Sequence, residues 1–252
     1  MNNDVIYVIG GSGLIGRSFV SKVASEYQTI VNLDLVNNIS LKKIFFEKFD
    51  CSDLFKIENQ LYKIFKKYGE PKYFVNCSYP VTKDWRKSNF KSIKIKSFIT
   101  NLNWNLGSYS WTAKIFADRM KKNGGKILML GSIYGSLVAQ DNNLYLKTKL
   151  KENMTYPIIK SGLTGLCRQM AHYYGKYNIQ VNIVSPGLIQ GHVKGVSKKQ
   201  DKKFIKKYLS KTSLKRICKP EEVANLISFL ISDKNSYITG QSIIIDGGYS
   251  VA

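Results

Sequence analysis

From Val5 to Asp34 the chain places an apolar run, a glycine-rich turn, an amphipathic stretch and a second apolar run in strict order. Residues 5–9 read Val-Ile-Tyr-Val-Ile, Gly10-Gly11-Ser12-Gly13-Leu14-Ile15-Gly16 follows, and a strand candidate at 29–33 ends at Asp34. Two parallel strands joined through a helix require a right-handed crossover, which leaves few folds open. Glycines allow a tight turn at the strand end and let backbone N–H groups approach a pyrophosphate, and the helix N-terminus adds positive potential. Gly10, Ser12, Gly13, Leu14, Ile15 and Gly16 are therefore the expected phosphate cradle of a dinucleotide. Asp34 stands where an acid binds the adenosine ribose 2′-hydroxyl. A carboxylate there repels a 2′-phosphate, so NAD(H) is expected in preference to NADP(H).

The rest of the chain continues the alternation. Further strand candidates lie at 72–77, 126–131, 179–185 and 242–246, with a weaker one at 44–49; helical patterns fall near 14–25, 54–68, 94–122, 157–177 and 220–232. Runs such as Ile127-Leu128-Met129-Leu130 and Ile243-Ile244-Ile245 are apolar throughout, as strands covered on both faces are. The expectation is an α/β fold: a doubly wound parallel sheet of seven strands with helices on both faces. With 252 residues, 44% of them hydrophobic, and no linker or repeat, one domain spanning 1–252 is expected. The least patterned stretches, 133–155 and 190–219, follow strand C-termini and are the expected substrate walls.

Composition removes several function classes. No apolar run approaches the roughly 18 residues of a bilayer span, and the N-terminus enters its first strand without a signal-like segment. No membrane partner and a cytoplasmic location are expected. Cys51, Cys77, Cys167 and Cys218 show no metal-ligand spacing, and His172 and His192 stand alone, so no metal is expected. The formal charge is +22, but the lysines are scattered in pairs such as Lys66-Lys67 and Lys206-Lys207. Without a nucleic-acid motif this suits solvated faces and the steering of an anionic small-molecule substrate, not nucleic acid.

Two Y-x-x-x-K spacings, Tyr145…Lys149 and Tyr156…Lys160, follow Leu130-Gly131-Ser132. Residues i and i+4 share a helix face, and an ammonium beside a phenol lowers its pKa toward general acid/base work. With these motifs on the page, the whole chain resembles the short-chain dehydrogenase/reductase family, compact branch, and the resemblance implies a Rossmann fold. Asp50-Cys51 falls where the family meets adenine, and Asn76-Cys77-Ser78 where it carries Asn-Asn-Ala-Gly. Asn105 and Ser132 match its catalytic Asn and Ser, and Pro186-Gly187, with Ile189 after it, its sixth-strand motif. The ending from Tyr237 to Gly248 is also characteristic.

By the resemblance, the family's usual Ser-to-Tyr interval favours Tyr145. The interval from the family's Lys to its Pro-Gly points the other way: Lys160 precedes Pro186 by that interval, whereas Lys149 lies too far upstream. Tyr156 and Lys160 are therefore the expected pair, and Tyr145 belongs to an insertion between Ser132 and the helix. The resemblance implies that Tyr156 exchanges a proton with the substrate oxygen and that Ser132 hydrogen-bonds it. Lys160 then holds the nicotinamide ribose, and Asn105 anchors a relay water. It also implies a homodimer or homotetramer packed through the 94–122 and 157–177 helices.

Departures point to substrate. The glycine loop has the G-x-x-G-x-x-G spacing more usual in a longer, two-region branch that works on nucleotide sugars, but the chain is too short for that branch's extra region and its second half matches the compact branch. Gly191 stands where a Thr is usual. Cys77-Ser78-Tyr79 replaces Asn-Ala-Gly, and the insertion and the Tyr79-Pro80 edge resemble oxidoreductases of bacterial sugar and flagellin-glycan synthesis. A 3-oxoacyl or polyol reductase is the competing enzymatic reading. A catalytically silent nucleotide-binding regulator is the other, opposed by retention of Asn105, Ser132, Tyr156 and Lys160.

Overall fold

The computed structural model describes residues 2–191 and 201–251. Seven strands form one sheet: β1 (Asn2–Ile9), β2 (Tyr27–Asp34), β3 (Ile44–Lys48), β4 (Pro71–Asn76), β5 (Gly125–Leu130), β6 (Ile179–Pro186) and β7 (Ser242–Ile245). Their order is β3-β2-β1-β4-β5-β6-β7, and every neighbouring pair is parallel. The chain winds outward from β1 to β3, then returns to β4 and winds the other way. That reversal opens a crevice at the C-terminal ends of β1 and β4, where open α/β sheets bind ligands.

Alternation along β1 shows why the strands are apolar throughout. Tyr7 and Ile9 face one layer, with α2 (Leu54–Tyr68), α4 (Ser108–Met120) and α7 (Thr155–Tyr174). Ile6 and Val8 face the other, with α1 (Leu14–Val23) and α9 (Pro220–Ile231). Successive strand side chains point to opposite faces, so a sheet covered twice needs apolar residues at every position. Each fully buried Leu, Ile or Phe contributes roughly 1.5–3 kcal/mol, which makes both layers stabilising.

Two expectations need refinement. The 94–122 pattern is a continuous helical run in which α3 (Ile95–Leu102) and α4 are joined by a turn of π-helix, Asn103–Gly107. Such turns insert one residue and often mark functional positions, and this one carries Asn105. The 190–219 stretch contains α8 (Lys202–Lys211), started by Asp201, whose Oδ1 accepts from the N–H groups of Lys203 and Phe204. Phe204 and Tyr208 bury its inner face against Ile133, Leu144 and Tyr249. Residues 192–200 of that stretch, His192 among them, lie outside the described residues. The 133–155 segment holds two single-turn helices, α5 (Ile133–Ser136) and α6 (Asn142–Tyr145).

Candidate active site

At the crevice a cleft of about 1150 Å³ runs from the glycine loop to the 133–155 segment. Gly10 turns the chain out of β1 at φ +76°, and a side chain there would meet the Ser78 amide nitrogen at 2.7 Å. A Cβ on Gly16 would stand 2.2 Å from the Gly10 carbonyl oxygen, so only glycine lets the loop close on α1. Helix α1 starts after Gly13 without a side-chain cap, leaving its first N–H groups without an intrahelical partner beside the cleft. Gly10, Ser12, Gly13, Leu14 and Ile15 line the cleft, while Gly16 is buried behind them. Close backbone approach and an uncapped helix N-terminus fit a pyrophosphate.

Asp34 ends β2 at the cleft wall. Its Oδ2 accepts from the Ser12 N–H at 3.0 Å and its Oδ1 from the Leu35 N–H at 2.7 Å, which locks the carboxylate against the loop. Asn32 donates to the Ser12 hydroxyl at 2.9 Å and ties the same strand to it. Asp50 and Cys51, after β3, and Cys77 and Ser78, after β4, line the same end. Asn76 does not: it is buried below, its Oδ1 accepting from the Ser78 N–H at 3.0 Å and hydroxyl at 2.7 Å. Pro186, Gly187 and Ile189 line the wall after β6, where Gly187 donates to the Ile245 carbonyl at 3.0 Å. Gly191 has φ +122°, and a Cβ there would meet Leu14 at 2.9 Å, so the Thr usual at this place would be strained.

At the opposite end the structure brings Ser132, Tyr156 and Lys160 together on the cleft. Ser132 leaves β5 and caps α5, its Oγ accepting from the Tyr134 N–H at 3.3 Å. Tyr156 and Lys160 occupy successive turns of α7, and the Lys160 ammonium lies 5.7 Å from the Tyr156 ring centre. That ammonium is buried and donates to the Leu130 carbonyl at 2.6 Å. Burial pulls its pKa down to about 8, opposed by the nearby Cys77 thiol. Burial raises the Tyr156 phenol above its ordinary value, and the group pulling it back down is the Ser132 hydroxyl. The lowering of the phenol expected from Lys160 does not emerge here: Ser132 is the group that pulls it down, and the Lys160 ammonium stands over the ring.

Asn105 stands apart from the cleft. Its Nδ2 donates to the Pro80 carbonyl at 2.7 Å and to the Asn101 carbonyl at 3.1 Å, so its amide braces the Tyr79-Pro80 edge. Tyr145 and Lys149 do not share a helix face, because α6 ends at Tyr145 and Lys147 has φ +57°. Sequence reasoning missed Trp85. With Tyr79 it sets two rings edge-on to Tyr156, at 5.8 Å between Tyr79 and Trp85, 5.9 Å from Tyr79 to Tyr156 and 6.5 Å from Trp85 to Tyr156. No linear signal marked Trp85; the aromatic directly after the Asn-Cys-Ser run is Tyr79. Among the described residues no cluster of His, Cys, Asp and Glu could hold a metal, and no helix is long and apolar enough to cross a membrane.

Residues 23–250 match the family model described as enoyl-(acyl carrier protein) reductase. The chain is similar to post-translational flagellin modification protein A of Campylobacter coli, 27% identical with all of both chains covered. It is also similar to the 3-oxoacyl-[acyl-carrier-protein] reductase FabG of Thermotoga maritima, 27% identical over 98% of each. Among solved structures it resembles a short chain dehydrogenase from Leptospira borgpetersenii serovar Hardjo-bovis with bound NAD+, at TM-score 0.87 and 25% identity, covering 100% of this chain and 94% of that one.

Proposed function

The chain belongs to the short-chain dehydrogenase/reductase family and is an oxidoreductase of that type; from this premise we propose that it interconverts a secondary alcohol and a ketone on an anionic sugar derivative, with NAD(H) preferred over NADP(H). The observation that carries the reading is the convergence of Ser132, Tyr156 and Lys160 at one end of a cleft whose other end holds the glycine loop and Asp34.

The bound nicotinamide supplies or takes the hydride. The protein's residues handle the proton. In the oxidative direction the Tyr156 oxygen accepts the proton of the carbinol, and in the reductive direction it returns it to the forming alkoxide. Ser132 donates to the substrate oxygen and holds it against Tyr156. Lys160, one turn along α7 from Tyr156, holds the nicotinamide ribose. Pro186, Gly187 and Ile189 border this end, and the Trp85 and Tyr79 rings pack edge-on to that of Tyr156.

Asp34 supports the cofactor preference: a fixed carboxylate accepts from a ribose hydroxyl and repels a phosphate at the same place. Arg86, Lys149 and Lys151 at the cleft, and the +22 net charge, support an anionic substrate. The flagellin-modification relative directs that reading toward sugars. The FabG relative favours a second one, reduction of a 3-oxoacyl thioester. Exposed Ile95, Ile99, Trp111 and Ile158 on α3, α4 and α7 support a homodimer or homotetramer through those helices.

Fluorescence titration with NADH and with NADPH, followed by turnover on phosphorylated and nucleotide-linked ketosugars and on 3-oxoacyl thioesters, tests the reading. Tighter NADH binding and sugar turnover are expected. No binding of either dinucleotide by folded protein would overturn it.

A further inference from the structure

The insertion between Ser132 and Tyr156 contains the Tyr145…Lys149 spacing that the proposed chemistry leaves unused, yet its polar groups converge on the reacting tyrosine by another route. Gln140 engages the backbone of Asn153 on both sides. Its Nε2 donates to the Asn153 carbonyl at 2.9 Å, and its Oε1 accepts from the Asn153 N–H at 2.9 Å. The Tyr145 hydroxyl donates to the same Oε1 at 3.0 Å. Asn153 then turns its own side chain to the helix, where Oδ1 accepts from the Tyr156 N–H at 2.8 Å.

The first turn of α7 depends on that last bond. The residue preceding the helix, Met154, provides no side-chain cap, and the amides of a first turn have no intrahelical acceptor. Pro157 has no N–H to satisfy. The Asn153 amide thus takes up the cap, and it caps the amide of Tyr156 itself.

The far end of the insertion is anchored to α8. Lys207 donates to the carbonyls of Asn143 and Leu146 at 2.7 and 2.6 Å, closing the end of α6. Lys211 pairs with Asp141, and the Lys149 N–H donates to Asp201 at 3.0 Å. The Phe204 ring lies 5.4 Å from that of Tyr145. Hydrogen bonds therefore run from Tyr145 through Gln140 and Asn153 to Tyr156, and the ring of Tyr145 rests against Phe204 of α8.

We propose that Gln140 is a positioning residue: by fixing Asn153 it sets the first turn of α7, and so where the Tyr156 hydroxyl meets Ser132. The inference rests on Tyr156 being the proton-transfer residue. A Gln140 that merely stapled the loop would leave the Tyr156 amide untouched when removed.

Residue-resolved amide hydrogen exchange on the full-length protein, without substrate, separates the two. Gln140→Ala should speed exchange of the Tyr156 amide about tenfold while amides of the sheet and of residues 163–174 keep their rates. Asn153→Ala should do the same, and the double variant should add little, because both act through one bond. Asn153→Asp keeps an acceptor for the Tyr156 N–H and should keep the protection. Faster exchange confined to 141–150, or equal loss of protection in Asn153→Ala and Asn153→Asp, would overturn the proposal, and the second comparison decides the matter if Gln140→Ala is globally unstable. NADH binding is measured on the same samples. Its absence in the wild type would sink the enzymatic reading without altering the exchange result.

Discussion

The position of a Cβ on Gly135 lies 2.2 Å from the Cβ of Lys160 and 2.4 Å from its carbonyl carbon. The single turn after Ser132 therefore rests its backbone directly on the helix that carries Tyr156 and Lys160. A side chain at 135 would meet backbone atoms, which cannot rotate away. Gly135→Ala is expected to cost about 1–3 kcal/mol of stability through overpacking and, by separating Ser132 from Tyr156, to lower turnover more than NADH binding. Gly165→Ala, on the same helix with nothing within 4 Å of its new Cβ, is the control. It should be neutral or add up to about 1 kcal/mol from helix propensity. Melting temperatures and NADH titrations of the pair check this; equal behaviour would refute the close contact.

Lys160 makes stability depend on pH in a definite direction. Its pKa falls from 10.5 in an unfolded chain to about 8 in the fold, mainly through burial. Below pH 8 both states carry the proton and the folded state bears the whole cost of burying the charge. Between about pH 8 and 10.5 the unfolded chain binds more protons, so this group's contribution rises with pH. Lys160→Met keeps the stem and removes the charge. The apo variant should be more stable than the wild type at pH 7, by about 1–3 kcal/mol, with the gap narrowing from pH 8 upward. Denaturant midpoints at pH 7 and 9.5 measure it, and a gap that widens with pH would reverse the argument.

The strands were legible because the sheet is covered twice, which forces apolar residues at Tyr7 and Val8 alike. The glycine loop was legible because Gly10 and Gly16 leave no room for a Cβ. Helix α8 was hidden by Lys202, Lys203, Lys206 and Lys207, which outnumber the Phe204 and Tyr208 of its buried face; Asp201 was the overlooked start signal. The π turn was overlooked because Asn103, Asn105 and Gly107 leave too few apolar positions there to show the shift of about 100° that one inserted residue makes. Trp85 reaches Tyr156 only through the fold, and no local pattern encodes a contact that distant. Between the two Tyr–Lys spacings, what separates them is how far a helix runs: α6 stops at Tyr145, whereas α7 carries both Tyr156 and Lys160 and continues to Tyr174.

Asp34 should decide between the two dinucleotides. Its carboxylate is fixed by the Ser12 and Leu35 amides, so it cannot swing aside for a 2′-phosphate. Asp34→Ala removes the repulsion and a ribose acceptor together. NADH should bind roughly tenfold more weakly, about 1.4 kcal/mol, and NADPH no worse than before. Paired titrations test this, and an unchanged NADH/NADPH ratio would place the preference elsewhere.

The two tyrosines give the sharpest contrast. Tyr156→Phe removes one hydroxyl but keeps the ring between Tyr79 and Trp85, so folding and NADH binding should persist. Turnover should fall about 10²–10⁴-fold, the usual worth of a positioned acid/base. Tyr145→Phe keeps its ring against Phe204 and loses the bond to Gln140, whose Oε1 still accepts from the Asn153 N–H. Turnover should stay within a few-fold of wild type. Rates for both variants, on the substrate pair found in the turnover screen and with NADH affinity measured alongside, settle the assignment. A Tyr156→Phe enzyme that retained its rate while Tyr145→Phe lost it would move the chemistry to the insertion.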